Sequence, residues 1–245
     1  MATPRVNRLF ITGAAALVIT GLAVAWVWPA SADPAVAVPA YQAPVAVTAT
    51  STPVAVTATS ETATLSGGCF WGMQGVYEHV KGVTRVVAGY TGGAADTAQY
   101  EVVSTGTTGH AESVQITFNP QIISYAKLLQ IYFSVAADPT ELNYQGPDTG
   151  TQYRSEIWVA TPAQRAIAAG YIAQLDKAKV FSAPIVVRVD VARPFYPAES
   201  YHQDFLVRHP DYPYIAINDI PKVQNLQTMF PQYYRATPVT VFPQS

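Results

Sequence analysis

The one thiol in this chain sits in a setting that could make it a nucleophile. Cys69 is the only cysteine among 245 residues, so no disulfide can close within the chain and no thiolate zinc cluster can form. A lone cysteine is either inert core filler or a reactive thiol, and its neighbours must decide. Gly67-Gly68 precede it and Phe70-Trp71-Gly72 follow. Glycines let the backbone turn tightly, and the pattern from Cys69 onward reads as helical. The thiol then stands at a helix start, where free amides stabilise an anion, so a lowered thiol pKa is expected. Phe70 and Trp71, on the first helical turn, would line the nucleophile's surroundings. The competing reading is a buried structural cysteine among ordinary core aromatics. The four histidines (His79, His110, His202, His209) are scattered and suggest no metal site.

The elements that must position this thiol follow from periodicity. Ala63–Ser66 is strand-like and is broken by Gly67-Gly68. The helix from Cys69 carries Phe70, Met73 and Val76–Tyr77 on one side and ends at Gly82. Val83–Tyr90 is a β-branched run stopped by Gly92-Gly93. Ser113–Phe118 alternates strictly and predicts a half-buried strand. Ser124–Val135 places Leu128, Leu129, Tyr132 and Phe133 at helical spacing. Ser155–Ala160 is a further strand. Thr161-Pro162-Ala163-Gln164 is a helix start with an N-cap, a proline at the first position and glutamine three residues on; that helix runs to about Ala178. Pro184–Val191 is the last clear strand. Strands alternating with helices imply an α+β domain of two layers, a mixed sheet with helices on a ferredoxin-like split βαβ core. Beyond Arg193, prolines and tyrosines suggest a long irregular tail that wraps the domain.

The first sixty residues read differently. Arg5 and Arg8 precede an uncharged run, residues 10–28, long enough to span a bilayer. Ala30-Ser31-Ala32 has the form of a cleavage site, so 1–32 is either a signal anchor or a cleaved signal peptide. Both place the remainder outside the cytoplasm, periplasmic or anchored facing outward. Residues 33–61 are rich in Ala, Val, Thr and Pro and hold PVAVTATS twice, at Pro44–Ser51 and Pro53–Ser60. That segment reads as a disordered tether, leaving 62–245 as one folded domain. Low charge and a net charge near −2 argue against nucleic acid as a partner.

GCFWG at Gly68–Gly72 resembles the signature of the A-type peptide methionine sulfoxide reductases. AGYTGG at Ala88–Gly93, Tyr100-Glu101-Val102, TGHAE at Thr108–Glu112, the GTQYRS run at Gly150–Ser155 and AESYHQDF at Ala198–Phe205 resemble that family's blocks in the same order. The resemblance does not reach the first sixty residues. It implies that the Cys69 thiolate attacks a sulfoxide sulfur, releasing methionine and leaving a sulfenic acid, in a role of protein repair under oxidative stress. Glu112 falls where the family has its acid, although on its own it reads as the start of an exposed strand face. Tyr100 and Tyr153 match the two phenols that hold the oxygen; Phe70 and Trp71 match the walls that accept the substrate methyl group. Asp148 matches an aspartate for polar substrate contacts, with a turn residue after Pro147 as the other reading. His110 and His202 are expected to be structural hydrogen-bonders.

The chain departs from many members in lacking further cysteines near its C-terminus, where an NDIPKV stretch stands instead. The sulfenic acid must then be reduced by an external thiol, a thioredoxin-like protein or a small thiol, with no prosthetic cofactor. A monomer is expected. A silent sensor or binding module for oxidised methionine is the alternative that the missing second cysteine suggests. A thiol peroxidase would share the single cysteine but leave Phe70 and Trp71 unexplained.

Overall fold

The computed structural model describes residues 35–43 and 58–243. The apolar run 10–28 and both PVAVTATS repeats, apart from Ala58–Ser60, lie outside them. Among the described residues no helix is long and apolar enough to cross a membrane.

The sheet is built on a βαββαβ frame. Strand β1 (Glu61–Ser66) leads into helix α1 (Phe70–Glu78) and returns as β2 (Val83–Thr91). After a short helix α2 (Tyr100–Val103), β3 (Ala111–Phe118) inserts between them. Helix α3 (Tyr125–Ile131), a π-turn (Tyr132–Ala136) and a small hairpin of β4 (Tyr144–Gln145) and β5 (Asp148–Thr149) precede β6 (Glu156–Val159). Helix α4 (Pro162–Ala178) leads to β7 (Arg188–Val191). The tail adds β8 (Phe195–Pro197), α5 (Phe205–Arg208) and α6 (Ile220–Met229). The sheet order is β7-β6-β1-β3-β2-β8. All neighbours are antiparallel except β6 and β7, so the sheet is mixed. The inner four strands have the split βαβ order expected.

Local chemistry explains why these residues adopt these elements. Thr161 caps α4 by accepting the Gln164 amide, while the Gln164 side chain accepts from Ala160 and donates to the Thr62 carbonyl, pinning α4 to β1. Ser124 caps α3 through the Lys127 amide. On α1, Phe70, Met73, Val76 and Tyr77 are buried against Ala63 and Leu65 of β1 and Val114 and Ile116 of β3 in one core.

Three expectations need correction. Strand β3 alternates as expected from Val114 to Phe118, with Gln115 and Thr117 half-buried between buried apolar side chains, but its start is enclosed on both faces: Glu112 meets the first amide of α1 and Ser113 the Ser66 hydroxyl of β1. The tail wraps but is regular in part, since Pro221 is tolerated in the first turn of α6 and Val223 and Leu226, three apart, are buried. The supposed tether is partly docked. Val36 donates to the Ser134 carbonyl, Gln130 donates to the Val38 carbonyl, Tyr171 to that of Pro39 and Gln174 to that of Ala40. Val38 is only 5% exposed, so this stretch satisfies its backbone and buries a side chain as a folded element does.

Candidate active site

Cys69 is the N-cap of α1, directly after the β1 turn. Gly68 makes that turn with φ +84°, and a side chain there would press within 2.6 Å of Gln145 Cβ. Both the positive φ and the close approach require glycine. Behind the turn, Tyr132 donates to the Ser66 carbonyl at 2.7 Å, which fixes where β1 stops.

The first amides of α1 are shared between two groups. Phe70 N–H donates to Glu112 Oε2 at 2.9 Å, and the Trp71 amide serves the Cys69 sulfur. Glu112 is 3% exposed, which removes the exposed-face reading. Burial pushes its carboxyl up to about 8, the Phe70 amide opposes this, and Asp148 and Asp219 add to it. Burial also raises the Cys69 thiol, helped by Glu112, Asp219 and Asp148, and the single Trp71 amide does not offset them. The lowered thiol pKa expected from the helix start is therefore overturned. Three carboxyl groups converge where the helix alone would favour an anion, so the resting nucleophile is a thiol.

A cavity of about 160 Å³ is lined by Cys69, Phe70, Trp71, Tyr100, Glu112, Asp148, Tyr153 and Tyr214. All seven residues singled out in the sequence thus meet in one place. Burial raises the phenols of Tyr100 and Tyr153 above the ordinary tyrosine value, with Glu112 adding to both. They are neutral O–H donors at any physiological pH. Asp148 accepts a hydrogen bond from the Tyr214 hydroxyl and lines the cavity beside it, so it is not merely a turn residue.

Several positioning residues carried weaker sequence signals. Glu199 accepts from the Tyr100 amide and from the Tyr90 hydroxyl, both at 2.9 Å. Arg154 donates to Glu156 at 2.6 Å and to the carbonyls of Gly109, His110 and Thr151, stitching the segment carrying Tyr153 to the loop that leads into β3 and Glu112. His110 accepts from the Gly93 amide and bonds the Ala94 carbonyl. His202 accepts the Trp71 indole N–H at 3.1 Å, and Phe205 stacks on that indole at 3.9 Å. Both histidines are structural hydrogen-bonders here. Tyr214 and Asp219 were missed, since a tyrosine and an aspartate in a proline-rich tail have no local pattern that would point to the cavity.

The family model described as peptide methionine sulfoxide reductase matches residues 61–234. The peptide methionine sulfoxide reductase MsrA 2 of Mesorhizobium japonicum is 60% identical over 181 residues, which is 74% of this chain and 93% of the relative. The enzyme of that name from a Synechocystis strain is 46% identical, covering 72% of this chain and 82% of its own. Among solved structures, methionine sulfoxide reductase A of Corynebacterium diphtheriae superposes with a TM-score of 0.53 at 33% identity, over 62% of this chain and 76% of that one. Reduced Mxr1 from Saccharomyces cerevisiae gives 0.56 at 30% identity, over 62% and 87%.

Proposed function

Since this chain belongs to the peptide methionine sulfoxide reductase family, we propose that its cavity reduces the S epimer of methionine sulfoxide, free or in proteins, through a sulfenic acid on Cys69. The observation that carries this reading is the convergence of a thiol, a buried carboxyl, two phenols and two aromatic walls on one cavity. Phe70 and Trp71 take the substrate's methyl group, and Asp148 meets its polar atoms. Tyr100 and Tyr153 donate hydrogen bonds to the sulfoxide oxygen as negative charge builds on it. Glu112 keeps its proton near neutral pH because it is buried, and gives it to that oxygen. Sulfur of Cys69 attacks the sulfoxide sulfur, the S–O bond breaks, and the oxygen ends on Cys69. The thiol proton passes to Glu112, which restores the acid. Methionine sulfur gains two electrons and Cys69 loses two.

Regeneration draws on an external thiol. One thiol condenses with the sulfenic acid and releases water; a second displaces the mixed disulfide and returns Cys69 to the thiol. A thioredoxin-like protein or a small thiol can supply both equivalents. The basic, apolar N-terminal pattern supports export from the cytoplasm, with residues 10–28 as a cleaved signal or an anchor. We propose that the enzyme acts as a monomer.

The test is a single turnover without reductant. One methionine should be released per protein, with one oxygen added at Cys69 by mass spectrometry, and Cys69→Ser should release none. Full activity in that variant would sink the reading. Repeated turnover with dithiothreitol separates it from a silent binding module.

A further inference from the structure

Gly72 has a neighbour that the proposed chemistry does not use. A Cβ added at this position of α1 would overlap Oδ1 of Asp219, with Lys222 Nζ 3.3 Å away. Asp219 itself is fully buried. Its carboxylate faces Lys222 at 3.4 Å, one turn along the same element. Beyond that contact neither oxygen finds a hydrogen-bond partner among the described residues. A buried carboxylate pressed on the opening turn of the helix that presents the nucleophile is costly, and one ammonium at 3.4 Å offsets that cost only in part.

We propose that Asp219 is a positioning residue for Cys69: its carboxylate, seated on the first turn of α1 through Gly72 and held by Lys222, adds a negative charge to the surroundings in which the thiol rests between substrates. This rests on the reductase reading only for its purpose; the effect on the thiol stands without it. The titratable groups that face Asp219 are Lys222 beside it, Cys69 on α1, Glu112 on β3, Asp148 on β5 and Tyr214 ahead of α6. Lys222 opposes the burial that pushes Asp219 up to about 6, so the carboxylate is charged near neutral pH.

Alkylation by iodoacetamide reads the thiolate directly, and with one cysteine in the full chain it reports a single site. For the native protein the midpoint should lie above the ordinary thiol value near 8.5. Asp219→Asn, close in shape, should move the midpoint to lower pH and raise the rate at neutral pH about three- to tenfold. Asp219→Ser, smaller and also neutral, should move it the same way. Profiles of a folded variant and the native protein that superimpose would overturn the proposal, as would a native midpoint at or below 8.5 if neither variant folds. Because alkylation needs no sulfoxide, failure here is distinct from failure of the reductase assay.

Discussion

A carboxyl group kept neutral at working pH by burial is costly to the fold once it ionises. Glu112 in the folded chain titrates at about 8, well above the ordinary glutamate value near 4.3. The unfolded chain releases that proton first. Glu112 therefore supports folding fully below about pH 4 and loses that support as pH rises through 8. The same titration removes the acid from the site. Activity should fall on the alkaline side with an apparent midpoint near 8, as a pH–kcat/KM profile would show. Glu112→Gln keeps an acceptor for Phe70 N–H but gives up no proton; kcat should drop by about 10²–10⁴. At pH 9 the variant should nonetheless melt above the native protein, since no buried charge forms. A variant with native kcat would remove Glu112 from the proton path. In the sequence Glu112 shares the parity of Val114, Ile116 and Phe118, the buried face of β3, but a lone carboxyl opening the strand read as exposed because the Phe70 amide that meets it comes from α1, 42 residues away.

At the level of elements, the site depends on cross-links between segments far apart in the chain. The glycine turn, α1 and the capped start of α4 were legible because their signals are local: positive φ, helical spacing, a threonine and glutamine three apart. Strand β7 was read too long, over Pro184–Val191, because its extent is set by parallel pairing to β6 across α4. The helix read over Ser124–Val135 gives way to a π-turn at Tyr132, whose hydroxyl reaches back to Ser66. Arg154 is the cross-link most open to test. Replacing it with Met leaves Glu156 buried without its cation and three carbonyls without a donor, a loss of about 3–5 kcal/mol. Thermal unfolding should show it as a drop in Tm of about 6–20 °C. Arg154→Lys should not rescue it, because one ammonium cannot match the guanidinium fork. A lysine variant as stable as the native chain would show that the fork is dispensable.

For the whole molecule, the folded unit reaches further toward the N-terminus than the family segment that begins at residue 61. Composition made 33–61 look uniform, and the docking of 35–43 depends on Gln130, Tyr171 and Gln174 presenting side chains to a backbone. Tyr41 also lies against Gly170, where an added Cβ would come within 3.1 Å of its hydroxyl. Val38→Asp puts a charge into a buried apolar position and should cost about 2–4 kcal/mol. Melting followed by circular dichroism should fall by several degrees, with kcat on methionine sulfoxide unchanged, because no cavity residue is touched. A melting curve that coincides with the native one would mean that this stretch contributes nothing to the fold.

The indole of Trp71 meets His202, Phe205, Tyr212 and Tyr214, all of them from the C-terminal tail. The thiol emerges from the ribosome early, whereas the groups that pack this wall emerge among the last. Long-range contacts of this kind form only after the intervening chain is in place. Until then the nucleophile has neither a fitted recess for a methyl group nor the Glu199 carboxylate that holds the Tyr100 amide. Maturation of the pocket in this way waits for residues 199–214, long after the thiol, the acid and both phenols have been made.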